Sequence, residues 1–390
     1  MEDIAEEALR DDVRRPRSPG APDLELGPNP VPPPHRSPVG VNLPLMPHVN
    51  ATRRRPVGYH VHHHGAGHAA HATAVARQLG GQLTGLGSGP IPEGWPGPWV
   101  ALPRDDDPIP GGDPTHEGAW HWVPDDHVGF TDRMRSVAAW IGETDPAVLV
   151  SDVSVEVSVL AHLLGVPSVP VLLHGCRTDR PHRLALDTAA AIIAPWPTSH
   201  IRPWHQRWAS KIHPVGFMSR HDGRPSGPAS VSDKRVLLVL PSGGHSIDAD
   251  AVESAARASA SCGWAWDVAG AATRPQRAVA HWHGSVDDLW PFLERASVVI
   301  AAAGAATVAD IAAARRPAVL LPQPRPFDEQ LAFAALLQDA APVRVRPRWP
   351  APTAWPALLD EVGGLGGETW GRLHDGLAAS RFAEVLCRFR

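Results

Sequence analysis

Short apolar runs rich in β-branched residues recur along the chain, and most are followed by a stretch in which apolar residues repeat at helical spacing. The first run, Val57-Gly58-Tyr59-His60-Val61-His62-His63-His64, predicts a strand that passes through Gly65-Ala66-Gly67-His68 into a helix over 69–79. Runs at 83–86 and 99–102 predict strands in loop-rich surroundings. Met134, Val137, Ala138 and Ile141 share one face of a helix expected over 126–143, and a strand over 147–150 ends at Ser151-Asp152. A helix over 155–164 stopped by Gly165, a strand over 168–173 ending at His174-Gly175, a helix over 184–191 and a strand over 192–194 continue the alternation.

After 217–233, where Ser, Pro, Gly and charge predict an interdomain linker, the pattern starts again. A strand over 236–240 leads through Pro241-Ser242-Gly243-Gly244-His245-Ser246 to a helix over 248–261. Strands are expected over 264–268 and 279–282, then a helix running to 295 that Asp287 and Asp288 would cap. The stretch 297–330 carries the most information. Val298, Val299 and Ile300 reach Gly304, an Ala-rich helix follows, Pro317 closes it, and a second apolar run covers 318–321. A helix over 327–337, a strand over 343–345 and two helices separated by Gly363-Gly364-Leu365-Gly366-Gly367 complete the chain.

Strands alternating with helices predict α/β architecture with parallel sheets. The 390 residues suit two domains plus a tail. The expected division is an extension over 1–50, a first domain over 51–216, the linker, a second domain over 234–345, and helices over 346–390 that pack back on the first domain. The 43 Pro and 35 Gly exceed what packed elements hold, and Pro30-Val31-Pro32-Pro33-Pro34 centres the extension, so disorder is expected there. A net charge of -5 gives no electrostatic reason to expect nucleic acid. Cys176, Cys262 and Cys387 are far apart and odd in number, which fits a reducing cytoplasm. No secretory signal and no window of 18 uninterrupted apolar residues is present.

A strand, glycine turn and helix leave unpaired amides at the strand's C-terminal end, where anionic ligands bind. Gly304 offers close backbone approach, Asp310 lies one and a half turns into the helix, and Asp328-Glu329-Gln330 follows the next strand. Asp152, Ser154, Glu156 and His174 stand at strand ends, Ser154 also as a helix cap. His68 falls in the first turn of a helix, where the dipole disfavours its protonated form and leaves a neutral imidazole suited to general-base work. The run His60, His62, His63, His64, His68 and His71 also permits metal hydrolysis. His60-x-His62 has amidohydrolase spacing, whereas His64 and Gly65 break the metallo-β-lactamase pattern. Packed or hydrogen-bonded strand histidines are the simpler reading for His60 and His62. Asp105-Asp106-Asp107 permits a metal clamp but reads more simply as a solvated loop.

Over Gly304, Ala305, Thr307, Val308, Asp310 and Ile311, then Glu329 and Gln330, the chain resembles the C-terminal half of the MurG-like glycosyltransferases, family 28 in type. Asp310 replaces that family's Glu, and Glu329 its first Gln. The resemblance implies a GT-B fold, two Rossmann-like domains facing a cleft. It places the Asp310 acid on the nucleotide ribose, Glu329 and Gln330 on the donor sugar, Ser242, Gly243 and Gly244 on the diphosphate, and the backbone of Ser285 and Val286 on the base. Gly65, Gly67 and His68 match its first glycine loop, with His64 and Ala66 in place of glycines. The implied activity is inverting hexosyl transfer from a nucleotide diphosphate sugar, a UDP-sugar by expectation, to the hydroxyl of a small-molecule or lipid-linked acceptor. His68, or secondarily Asp152, would be the base, with no cofactor and no metal, in the cytoplasm and compatible with peripheral membrane contact. A catalytically silent nucleotide-sugar-binding protein, a nucleotide-sugar epimerase and a histidine-cluster metal-dependent hydrolase are the alternatives.

Overall fold

The computed structural model describes residues 54–63, 66–109, 111–227, 233–241, 247–270 and 274–390. The expected extension over 1–50, Gly65, and the loop Ser242, Gly243 and Gly244 lie outside the described residues. Arg53–Arg390 is one compact unit.

Seven parallel strands form the first sheet: β1 (Val57–Val61), β2 (Leu83–Gly87), β3 (Trp99–Ala101), β4 (Val148–Asp152), β5 (Ser168–Val171), β6 (Ile192–Ala194) and β7 (Ile212–Pro214). Their order is β3-β2-β1-β4-β5-β6-β7. The second sheet has β8 (Arg235–Val239), β9 (Ala265–Ala269), β10 (His281–Gly284), β11 (Val298–Ala301), β12 (Ala318–Leu320) and β13 (Val343–Val345), ordered β10-β9-β8-β11-β12-β13. The central strands are buried on both faces, which is why they read as continuous apolar runs rather than alternating ones. Val57 pairs with both Leu83 and Val148, and Val298 with Val236. In each sheet the strand order therefore reverses between the first strand and the one entering from the other side, which opens a crevice at the strands' C-terminal ends.

Helices α1 (Ala66–Gln78), α2 (Val128–Thr144), α3 (Val155–Leu163) and α4 (Arg180–Thr188) serve the first sheet; α5 (Ala249–Ala260), α6 (Trp290–Arg295), α7 (Ala305–Ala313) and α8 (Glu329–Gln338) serve the second; α9 (Trp355–Gly363) and α10 (Ala378–Cys387) close the chain. Val75 and Ala76 of α1 and Phe382 and Leu386 of α10 cover Tyr59 and Val150 on one face. On the other face, Trp140 of α2 packs so close to β1 that a Cβ at Gly58 would lie 2.4 Å from its ring, so only glycine fits there. In the second domain α5 and α9 bury Val252, Trp355 and Leu359 against Leu238 and Trp266. A further cluster joins the two domains, with Trp196, Trp208 and Phe217 continuous with Leu237, Val299 and Phe333.

Three expectations change. Only α10 packs on the first domain, because Trp355, Leu358 and Leu359 of α9 match the apolar face beside Trp266. The linker is not plain spacer at its start: Phe217 and Met218 are buried, and the Phe217 ring meets Phe333 at 5.7 Å. The helix expected from 327 begins at Glu329, since Phe327 and Asp328 adopt φ 61 and 52 and turn the chain sharply. Among the described residues no helix is long and apolar enough to cross a membrane.

Candidate active site

β1 stops at Val61 and α1 already begins at Ala66, so His68 stands in the first helical turn beside the C-terminal end of neighbouring β4. His68 Nδ1 donates to Asp152 Oδ2 over 2.9 Å. With Nδ1 protonated in that bond, Nε2 is the basic nitrogen. The His68 side chain keeps 22% of its surface exposed whereas Asp152 keeps 2%. Burial pulls the His68 pKa down, but the Asp152 charge and hydrogen bond more than offset it, and the value stands raised above 6.5. This corrects the expectation of a helix-dipole-neutralised imidazole: a bonded carboxylate outweighs the partial charge of a helix terminus. Asp152 is in turn lowered, the His68 charge overcoming burial, so it stays ionised as the partner of His68. Tyr59, fully buried and held well above its ordinary pKa by burial and then by the Asp152 charge, stays protonated below the pair.

Val153, next in the chain, has φ 77, a backbone region that costs a β-branched residue about 1–3 kcal/mol. The bend aims Asp152 at His68 and lets Ser154 start α3, where its Oγ accepts from Val157 N at 3.2 Å.

The second domain answers across the crevice. A Cβ on Gly67 would lie 2.8 Å from the Ala306 Cβ, so the first turn of α1 abuts the first turn of α7. Gly304 is the α7 N-cap with no side-chain capping bond, and Gln330 Nε2 would lie 3.9 Å from a Cβ placed there. Gln330 Oε1 accepts from Gln323 N, fixing the amide's orientation. Glu329 accepts from Arg177 Nη2 of the first domain at 2.9 Å and adds to the charge that raises His68. Burial raises Glu329 itself, against the opposing pull of Arg177.

Residues 285–345, which span β11, α7, β12, α8 and β13, match the glycosyltransferase family 28 C-terminal domain. The fold is similar to the glycotransferase of kitacinnamycin (14% identity, 86% of this chain and 99% of that one, TM-score 0.61). It is also similar to MurG of Acinetobacter baumannii (17%, 86% and 100%, 0.55) and to Arabidopsis thaliana UGT89C1 complexed with UDP-L-rhamnose (13%, 87% and 100%, 0.61). No curated protein sequence matches the chain. The chain has the GT-B fold.

On this GT-B frame the remaining expected residues fall as follows. Ser285 and Val286 follow β10, and Val286 leans on the joint core. Thr307 lies in the first turn of α7 with Ala305. Asp310 is 1% exposed and faces the segment after β7 rather than open cleft: Ser219 Oγ donates to its Oδ1 at 2.7 Å and Arg220 Nε to its Oδ2 at 3.0 Å. His174 is not a cleft residue. It is stacked between Trp196 and Phe333 at centroid distances of 4.2 and 4.0 Å, and burial pushes its pKa well below 6.5. Asp105 is no solvated loop residue either; it lies 3.4 Å from the buried Arg133 guanidinium.

Arg133 also approaches His60 Nε2 at 3.4 Å, a poor setting for a cation held by the strand histidines. The group among the described residues whose ligand atoms come within 4.8 Å of one another is His121, Asp179 and His182. There both Asp179 oxygens already bond imidazole nitrogens, at 2.9 and 2.6 Å, while Arg177 Nη1 faces His182 Nε2 at 3.4 Å. Coordination through His182 Nδ1 would put an N–H against that guanidinium, so the donor set suits hydrogen bonding better than a metal.

Arg177, Arg220 and Tyr59 escape the sequence reading. Arg177 follows the end of β5 by a few residues, a position where functional side chains collect in parallel sheets, and that placement was its only signal. Arg220 sits in a segment whose composition reads as linker. Its partnership yields a prediction: Asp310→Asn weakens nucleoside diphosphate binding about tenfold, equally for ribo- and 2′-deoxyribonucleotides, because the lost charge-assisted bonds anchor Arg220. Calorimetry with both nucleotides checks this; a loss confined to the ribonucleotide would instead place Asp310 on the ribose.

Proposed function

We propose that the protein is a metal-independent, inverting glycosyltransferase that moves a hexose from a nucleoside diphosphate sugar, UDP-linked by preference, to an acceptor hydroxyl. The observation carrying this reading is the His68–Asp152 pair standing opposite the α7 N-terminus, with the Glu329 charge felt at His68. The acceptor oxygen attacks the anomeric carbon while its proton passes to His68 Nε2, and the bond from that carbon to the diphosphate oxygen breaks on the opposite face. Negative charge then grows on the leaving diphosphate. The uncapped α7 amides and the half-exposed Arg220 guanidinium would receive it, as preorganised dipoles and a fixed cation can without reorganising. Gln330, beside Gly304, and Glu329 would hold the sugar, Ser285 and Val286 the base, and Ser242, Gly243 and Gly244 the diphosphate. The UDP-L-rhamnose of the Arabidopsis neighbour supports a nucleotide-sugar donor.

Uridine diphosphate is expected to raise the melting temperature equally with and without a chelator. At 100 times its dissociation constant a ligand adds about 2.7 kcal/mol of stability. Stabilisation that needs a divalent ion would overturn metal independence, and no response to uridine, thymidine or guanosine diphosphate would overturn the donor site.

A further inference from the structure

We propose that Tyr59 is a positioning residue for the His68–Asp152 pair, its buried hydroxyl donating to Asp152 Oδ1 and so keeping Oδ2 on His68; what the pair does rests on the transferase reading above. Tyr59 pairs with Val150 across β1 and β4, and Asp152 lies two residues beyond Val150, so both side chains leave the sheet on the same face. That is the face α1 covers, and His68 of α1 takes Asp152 Oδ2 at 2.9 Å. The other carboxylate oxygen, Oδ1, is buried, as are the Tyr59 hydroxyl and, one turn beyond His68, the Nε2 of His71. None of the three has a partner in strict bonding geometry among the described residues.

A buried carboxylate oxygen and a buried hydroxyl have both lost their hydration, and a bond between them offsets the loss. Packing alone does not ask for the hydroxyl: the Tyr59 ring is buried with Val57, Val61, Val148 and Val150 and lies 6.0 Å from the Phe382 ring, a setting that a phenylalanine would fill as well. Burial, then the Asp152 charge and a hydrogen bond to that carboxylate, hold the phenol well above its ordinary value of 10.0, so Tyr59 has a proton to donate wherever Asp152 is ionised. His71 Nε2 is the competing acceptor. Burial lowers the His71 pKa below 6.5 and leaves that ring neutral, and a bond to a charged acceptor is about twice as strong as one to a neutral acceptor.

The bond bears on the base. The form of the pair that takes up a proton carries one net negative charge, which a donor at Oδ1 stabilises; without that donor the pair holds its proton more tightly. The other titratable groups around the pair are His71 on α1 with Asp310 behind it, His60 and His62 at the end of β1, and Glu329 of the second domain, which Arg177 holds. His60 is neutral there, burial first and Arg133 second lowering its pKa to about 3. Removing the Tyr59 hydroxyl changes none of these groups chemically.

The test follows the His68 titration by NMR of full-length protein carrying isotope-labelled histidine, the signal being assigned by its loss in His68→Ala. Beside it stands the pH profile of uridine diphosphate release from UDP-glucose, with water as the probe acceptor. Tyr59→Phe is expected to move the titration and the rate limb to higher pH by roughly one unit, a tenfold change in proton affinity. Tyr59 is the only tyrosine of the chain, so growth on 3-fluorotyrosine alters this one hydroxyl; the more acidic phenol donates more strongly, and the same two readouts are expected to move to lower pH. In an Asp152→Asn background the effect of Tyr59→Phe is expected to shrink to near nothing, as it must if the hydroxyl acts through that carboxylate. A His68 titration that moves with neither change in proteins that melt like the wild type, or that moves equally without the Asp152 charge, overturns the inference; should Tyr59→Phe fail to fold, the fluorotyrosine protein decides alone. A titration that moves as expected in a protein that neither releases uridine diphosphate from UDP-glucose nor binds it by calorimetry overturns the transferase reading and leaves the Tyr59–Asp152 bond in place.

Discussion

Replacing His68 with alanine is expected to lower sugar transfer about 10²–10⁴-fold while binding of the donor nucleotide stays nearly unchanged, because general-base catalysis contributes about that much and the proposed donor contacts come mainly from the second domain. Single-turnover rates against calorimetric nucleotide affinity separate the two quantities. The geometry makes the expectation specific. Nδ1 is committed to Asp152, so the lost group is the Nε2 lone pair, and no other described imidazole bonds that carboxylate. Unchanged transfer by the alanine variant would remove His68 from the mechanism.

The same pair sets the pH dependence. With His68 as the proposed base, transfer needs it neutral, and its pKa is raised above 6.5, so kcat/KM is expected to rise with pH along a limb centred above 6.5. Asp152→Asn removes the charge that raises His68 and leaves the burial that lowers it; the limb then moves to lower pH while the plateau rate falls. A merely structural aspartate would lower the rate without moving the limb. The sign for stability runs the other way. The raised histidine stabilises the fold fully below its unfolded value, and that contribution is lost as pH rises through the folded value. The depressed Asp152 contributes above its unfolded value, and its share is lost as pH falls. The pair therefore supports the fold most in the mildly acidic range, below the pH at which the proposed base is neutral.

The sheets were legible because both faces of each central strand are covered, which forces apolar runs such as Val298 to Ile300 that nothing else explains. Gly304 and the turn into α7 were legible for a second reason: a glycine between a buried strand and an Ala-rich helix has few other uses. The His68–Asp152 bond joins residues 84 positions apart, and only the adjacency of β1 and β4 brings them together. Strand order does not follow from local spacing, so Asp152 could be singled out at the end of its strand and His68 in the first turn of its helix, but not as a pair. Asp310 shows the opposite failure. Its position in the helix was read correctly, but the Ser219 and Arg220 that bury its carboxylate come from a segment that composition assigns to a linker. Polar composition signals exposure on average, and here a few polar side chains are held by one buried acid.

Phe382→Ala is expected to cost about 3–5 kcal/mol, the range for removing a fully buried ring from a core that relaxes only partly. The Phe382 side chain is 0% exposed and lies 6.0 Å from the Tyr59 ring of β1, in the cluster that also holds Val75 and Ala76 of α1 and Val385 and Leu386 of α10. The final helix thus backs the layer from which His68 projects, although it enters the fold after the whole second domain. Urea unfolding followed by circular dichroism and by tryptophan fluorescence measures the loss, and Phe382→Leu, which keeps most of the volume, is expected to lose less than about 1.5 kcal/mol. A cost below about 1 kcal/mol for the alanine variant would show that α10 is a dispensable strap. A full cost with transfer preserved at temperatures below the new midpoint would show that α1 keeps its place on the sheet contacts alone, through Ala72, Val75 and Ala76.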